Sequence, residues 1–254
     1  MDGRVALVTG ASAGIGAQVA EQLAAAGVRL VVHGRDEERT WAVAERTGGE
    51  PIVADLAVPG VAAELAVAAL SVHGRVDIVV ANAGAGWSGP FVEMRAAEVD
   101  ELVALDLVAP LQLVRCLLPP MLERRDGHVA LVGSIAGRTG VAGEAVYAAT
   151  KAALDVFAES LRLEVRGSGV AVSLTIPGVV DTGFFAARGR PYDRSRPRPV
   201  PPADVARALV DGIANDRAEV WIPRWIRVAP VVRALVPGLY RQLSARFGEQ
   251  VERR

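Results

Sequence analysis

Lysine is nearly absent from this chain: Lys151 is the one lysine among 28 basic residues, the rest being arginine. Cysteine occurs once, as Cys116, so no disulfide can form within the chain, and a reducing, cytoplasmic setting is expected. Cys116 lies in an apolar helical run and reads as a packed thiol rather than a nucleophile. Net charge is also close to nil, at −1, which excludes the global basic character of a nucleic-acid binder; no nucleic-acid partner is expected. Aromatic residues make up only 5% of the sequence, against 51% apolar overall, a composition of small aliphatic side chains that suits helices packed closely on a parallel sheet. The apolar run that follows Met1-Asp2-Gly3-Arg4 is too short for a signal-peptide core or a membrane span.

What is present is alternation. Short β-rich runs near Arg4–Thr9, Arg29–His33, Pro51–Ala54, Val76–Asn82, Gly127–Ser134, Val170–Ile176 and Glu219–Ile222 read as strands. Helical patterns over Ile15–Ala26, Asp36–Arg46, Val61–His73, Ala97–Glu123, Ala145–Arg166 and Pro202–Asn215 fill the gaps. Right-handed crossovers then predict an α/β fold, Rossmann-like and doubly wound, with a mainly parallel seven-stranded sheet, helices on both faces and ligands at the carboxyl ends of the strands. One domain over residues 1–254 is expected. Residues 183–202 are rich in Gly, Arg and Pro and read as a substrate loop. The arginines of Arg188–Arg198, and those from Arg224 onward, read as a solvated face, with an anionic ligand or membrane surface as the other reading.

Thr9-Gly10-Ala11-Ser12-Ala13-Gly14-Ile15-Gly16 follows the first strand directly and opens the first helix. Glycines permit close backbone approach, and a helix N-terminus presents free N–H groups and a positive dipole end, so a pyrophosphate can lie there. Gly10, Ser12, Ala13, Gly14, Ile15 and Gly16 are the candidate contacts. The second strand ends in His33-Gly34-Arg35-Asp36, with a guanidinium where a ribose-binding carboxylate would usually stand. Arginine suits a 2′-phosphate, so NADP(H) is favoured and NAD(H) remains possible; pairing of Arg35 with Asp36 is the competing use of that side chain.

Tyr147 and Lys151 are four residues apart at the start of an apolar helix and project from one face. Phenol is a poor base at neutral pH, and a neighbouring ammonium favours its ionised form. Arginine would not fill that point-charge position, which explains why the one lysine is here. Ser134 ends the fifth strand, where its hydroxyl could hold a substrate oxygen or cap a helix. No metal ligands are expected.

Together, Thr9–Gly16, Asp55, Asn82-Ala83-Gly84, Ser134, Tyr147-x-x-x-Lys151 and Pro177-Gly178-Val179-Val180-Asp181-Thr182 resemble the classical short-chain dehydrogenase/reductase family over about Val5 to Ile222. The resemblance implies adenine contacts at Asp55 and Leu56, an adenine-ribose wall at Asn82, Ala83 and Gly84, and nicotinamide support from Pro177, Gly178, Val180 and Thr182. It implies that Lys151 holds the nicotinamide ribose as well as tuning Tyr147, that Ser134 positions the carbonyl, and that Tyr147 exchanges the proton. Asp106 departs from the pattern, standing where the family most often has asparagine at a helix kink; Pro110 preserves the kink by displacing the Asp106 carbonyl. A charged Asp106 near Lys151 would weaken the ammonium's effect on Tyr147.

The implied function is hydride transfer between a nicotinamide and a hydrophobic ketone or alcohol, a small-molecule partner suggested by Phe184-Phe185 and the apolar tail. A dinucleotide-binding sensor with little turnover is the alternative. A homodimer or homotetramer is expected. The tail, near 223–254, is apolar and broken by prolines; packing over the substrate pocket, a subunit interface and a membrane surface are its candidate roles, in that order.

Overall fold

Aliphatic residues fill seven short runs, and each becomes a strand in the computed structural model: β1 (Val5–Val8), β2 (Arg29–Gly34), β3 (Glu50–Val53), β4 (Ile78–Ala81), β5 (Gly127–Val132), β6 (Val170–Pro177) and β7 (Glu219–Ile222). The structure describes residues 1–193 and 196–247. Residues 194–195 of the expected substrate loop and 248–254 of the expected C-terminal extension lie outside the described residues. The helices are α1 (Gly14–Ala25), α2 (Glu37–Thr47), α3 (Val61–His73), α4 (Ala96–Val103), α5 (Ala109–Arg124), α6 (Ile135–Thr139), α7 (Ala145–Glu164), α8 (Phe184–Ala187), α9 (Pro202–Ala214), α10 (Val228–Leu235) and α11 (Pro237–Phe247).

All strands are parallel, in the order β3-β2-β1-β4-β5-β6-β7. Strand order reverses at β1, and a crevice opens beyond the carboxyl ends of β1 and β4 at that switch point. Side chains alternate across the sheet. Ala6 and Val8 pack with Val19, Leu23, Val43, Leu209 and Ile213 of α1, α2 and α9. Leu7 faces the other way, into a cluster with Leu65, Leu113, Leu117 and Leu154 of α3, α5 and α7. Each of these fully buried leucines contributes roughly 2 kcal/mol through removal of apolar surface from water.

The segment expected as one helix over Ala97–Glu123 is divided. Between α4 and α5, residues Ala104–Val108 form a widened turn in which the Ala109 N–H reaches back five residues to the Ala104 carbonyl. Pro110 accounts for it, because proline has no N–H to continue the ordinary ladder and its ring crowds the preceding turn. Ala96–Arg124 is long and apolar enough to cross a membrane. Yet Leu102, Leu113, Leu117 and Met121 are buried, and the last three belong to the core beneath the sheet.

Candidate active site

The turn after β1 is held by side chains rather than by chance contact. Asn82 donates from Nδ2 to the carbonyls of Thr9 (2.9 Å) and Gly10 (3.2 Å), and the Thr9 hydroxyl accepts the N–H groups of Asn82 and Ala83, both at 3.0 Å. Asn82, expected only as a pocket wall, therefore also braces the Gly-rich turn. Gly14 has a φ of +56° and faces Thr182 across the crevice, where a Cβ would come within 3.2 Å of the threonine methyl. Gly16 lies beneath the turn instead of on the cleft wall; a Cβ there would overlap the Gly10 carbonyl oxygen. Ala13, which precedes α1, supplies no side-chain cap, so the first-turn N–H groups can serve an anion.

At the end of β2, the two candidate uses of Arg35 separate. Asp36 caps α2 by accepting the Arg39 N–H at 3.0 Å and pairs with the Arg39 side chain, also at 3.0 Å. Arg35 turns to Asp55, 3.7 Å away, and remains exposed. Arg39 lines the cleft beside it, a second cation that sequence reading missed. Beneath them His33 is buried, its Nε2 3.1 Å from the Ala54 carbonyl.

Of the two roles open to Ser134, the helix cap is the one visible in the fold. Gly133, just past β5, donates to the Thr175 carbonyl (2.8 Å), and Ser134 then caps α6, its Oγ accepting the Ala136 N–H at 3.1 Å. The same hydroxyl faces the Tyr147 phenol. Lys151, one turn along α7, places Nζ 5.7 Å from the Tyr147 ring centre, 3.4 Å from the Val132 carbonyl and 3.5 Å from Asp106 Oδ2. The widened turn after α4 brings Asp106 to this point, behind Lys151 and off the cleft wall; its Oδ1 accepts the Ala85 N–H at 2.8 Å.

Charge explains how this group titrates. Burial pushes the Asp106 carboxyl up, against the opposing pull of Lys151. Burial, and then the Asp106 charge, holds the Tyr147 phenol well above its usual range, with the nearby Ser134 hydroxyl acting the other way. The four-residue spacing predicts an ammonium that favours phenolate. In three dimensions that ammonium also faces a carboxylate, and Tyr147 is kept protonated.

Ser134, Tyr147 and Lys151 line one cleft of about 1120 Å³ with Gly10, Ser12, Ala13, Gly14, Ile15, Arg35, Asp55, Leu56, Asn82, Ala83, Gly84, Pro177, Gly178, Val180 and Thr182. Trp87, Leu102, Leu105, Val141, Phe184 and Phe185 give it an apolar portion, with Arg95, Glu98 and Glu101 also on its wall. Phe184 lies 5.5 Å from Tyr147 between ring centres, and Phe185 joins it to Tyr192. Arg188 corrects the solvated-face reading of its stretch. Its side chain is buried, ion-paired to Glu144 three residues before Tyr147, and stacked 4.5 Å from the Phe185 ring centre. Arg196 and Arg198 are exposed, as that reading has them. No described residue of the tail lines the cleft; Arg233 and Tyr240 instead hydrogen-bond to the Arg138 and Thr139 carbonyls of α6.

Residues 4–193 match the family model of the short chain dehydrogenases. The chain belongs to this family. It is an oxidoreductase by that membership, with the family's Rossmann-like sheet. Among curated relatives of this short chain dehydrogenase, a ketoacyl reductase from Nostoc is 32% identical, the match covering 87% of this chain and 78% of the relative. Among solved structures, a short-chain dehydrogenase from Sphingobium yanoikuyae in complex with NADPH superposes with a TM-score of 0.83 at 28% identity, covering 99% of this chain and 98% of that one. A short chain dehydrogenase/reductase from Burkholderia phymatum in complex with NAD also gives 0.83, at 26% identity and coverage of 100% and 98%.

Proposed function

We propose that this short-chain dehydrogenase is a carbonyl reductase, running as an alcohol dehydrogenase in reverse, for an apolar ketone or alcohol, with NADP(H) favoured and NAD(H) possible. The observation that carries the reading is the Ser134–Tyr147 hydroxyl pair in the cleft, with Lys151 behind it and Phe184 over it. The residues present fit a dinucleotide. The glycine cradle is where added Cβ atoms would crowd, the start of α1 suits a pyrophosphate, and Arg35 and Arg39 suit a 2′-phosphate. The NADPH-bound and NAD-bound relatives support the same assignment. When bound, the nicotinamide supplies or accepts the hydride.

The remaining chemistry falls to side chains. Ser134 and Tyr147 hold the substrate oxygen by hydrogen bonds, and Tyr147, kept as the phenol, donates its proton to that oxygen as it becomes an alkoxide. Lys151 and Asp106 lie behind Tyr147 as the route by which its proton is restored. Trp87, Leu105 and Phe184 exclude water and select an apolar substrate, consistent in kind with the ketoacyl reductase relative. Homodimer or homotetramer formation belongs to the proposal, supported by exposed Val156 and Leu163 on α7, as does a cytoplasmic setting, supported by the free thiol of Cys116. The test is oxidation of NADPH and NADH across a panel of ketones and aldehydes. Turnover of apolar carbonyls supports the reading; nucleotide binding without turnover contradicts it.

A further inference from the structure

We infer that the C-terminal helices form a docking surface for an anionic lipid membrane. Trp225, Val228, Val231 and Leu235 recur at intervals of three, three and four residues, so they line one side of the helical turn at Arg224–Arg227 and of α10. All four are exposed, Leu235 by 77% and Trp225 by 59%. Leu239 and Leu243, four apart on α11, extend the exposed apolar surface. The opposite side is the one that packs: Ile226 is buried, and Arg233 and Tyr240 hydrogen-bond to α6. The apolar stripe is thus held outward by contacts made behind it.

Charge selects the occupant. Residues 223–247 contain five arginines and no aspartate or glutamate, in a chain whose net charge is −1. Arg224, Arg227 and Arg241 are exposed beside the stripe. A two-fold contact with a second copy would set this basic surface against itself, like charge on like. A bilayer carrying anionic headgroups complements it, accepting the apolar side chains below and the guanidiniums at headgroup level, with tryptophan suited to the boundary. The site also shares an edge with the cleft. The tail leaves β7 at the carboxyl edge of the sheet and packs on α6, which Ser134 caps. Resting on the proposed function, this placement brings the apolar substrate cleft toward the phase where such carbonyls dissolve.

The test is sedimentation of the full chain with vesicles of phosphatidylcholine plus phosphatidylglycerol, compared with phosphatidylcholine alone. Binding is read without turnover, so the result is separable from the enzymatic reading. The expected result is binding that requires phosphatidylglycerol and weakens with salt. Val231→Asp with Leu235→Asp should lower vesicle affinity at least about tenfold, and Arg224→Gln with Arg227→Gln should remove the preference for the anionic lipid. Circular dichroism and sedimentation velocity on the same variants show that they are folded and report their oligomeric state. Absence of vesicle binding by the native chain overturns the inference. So does a pair of aspartate substitutions that splits an oligomer while leaving vesicle affinity unchanged, which would make the stripe a subunit contact.

Discussion

Asp106 Oδ2 lies 3.5 Å from Lys151 Nζ, with both side chains buried, so this lysine faces a carboxylate as well as the ring of Tyr147. That carboxylate is the second cause, after burial, of the raised Tyr147 pKa. Asp106→Asn removes the charge and lets the Tyr147 pKa fall. Alcohol oxidation, which needs the phenolate, should then rise at lower pH than in the native enzyme, with each unit of movement worth about tenfold in rate on the rising limb. An unmoved pH–rate profile would disprove the coupling.

Arg35 is exposed and its nearest acidic partner is Asp55, at 3.7 Å, so it can swing to a phosphate at little cost. Arg35→Asp should lower kcat/KM for NADPH by at least about tenfold and leave NADH little changed or improved. Steady-state kinetics with both cofactors give the ratio. A ratio equal to that of the native enzyme removes Arg35 from cofactor choice, leaving Arg39 as the remaining cation on this wall.

Glu144 and Arg188 join the start of α7 to the segment after α8 through a buried ion pair. Glu144→Gln takes the carboxylate from a desolvated guanidinium and should destabilise the fold by roughly 3 kcal/mol, read from chemical denaturation. Because Arg188 stacks on Phe185 within the substrate wall, KM for an apolar ketone should rise more than kcat falls. Unchanged stability and unchanged KM would show that the pair neither holds this segment nor shapes the pocket.

Two buried histidines make the fold acid-sensitive. Burial lowers both His33 and His128 from 6.5 to about 4, outweighing the Ala54 carbonyl and Asp55 charge at His33 and Asp216 at His128. The unfolded chain gains these protons as pH falls through 6.5, whereas the folded chain gains them only near 4. Stability is therefore full above 6.5 and declines on acidification toward 4, by on the order of 3 kcal/mol per histidine. Melting temperatures of the native chain and of His128→Gln across this range check the assignment: the variant should show the shallower decline, and parallel curves would contradict it.

Local periodicity carried most of the fold into view. The seven strands and six helical segments, one of them divided at Ala104–Val108, follow from alternation and spacing within single segments, with ends displaced by at most two residues. Just before β4, Asp77 still bonds through its backbone to Val5 and His128, and its buried carboxylate accepts from the Val5 N–H and Arg75. At β5, the strand stops at Val132 because Ser134 turns to cap α6. Tyr147, Lys151 and Ser134 were recognisable by type and spacing, and Pro110 announced the distortion at Asp106. The arrangement around Arg188 was not, since its partner Glu144 lies 44 residues away and a run of arginines carries no local mark of burial. The same limit applies to the tail, where prolines suggested interruption but the outward direction of the apolar stripe depends on contacts with α6.

Tyr147→Phe tests the central claim most directly, because it removes one hydroxyl and leaves the ring against Phe184. The measurement is NADPH oxidation with an apolar ketone, alongside cofactor affinity from fluorescence titration of the same preparation. If Tyr147 delivers the proton, kcat falls by roughly 10² to 10⁴ while cofactor affinity changes by only a few fold. Full retention of ketone reduction in Tyr147→Phe would contradict that role.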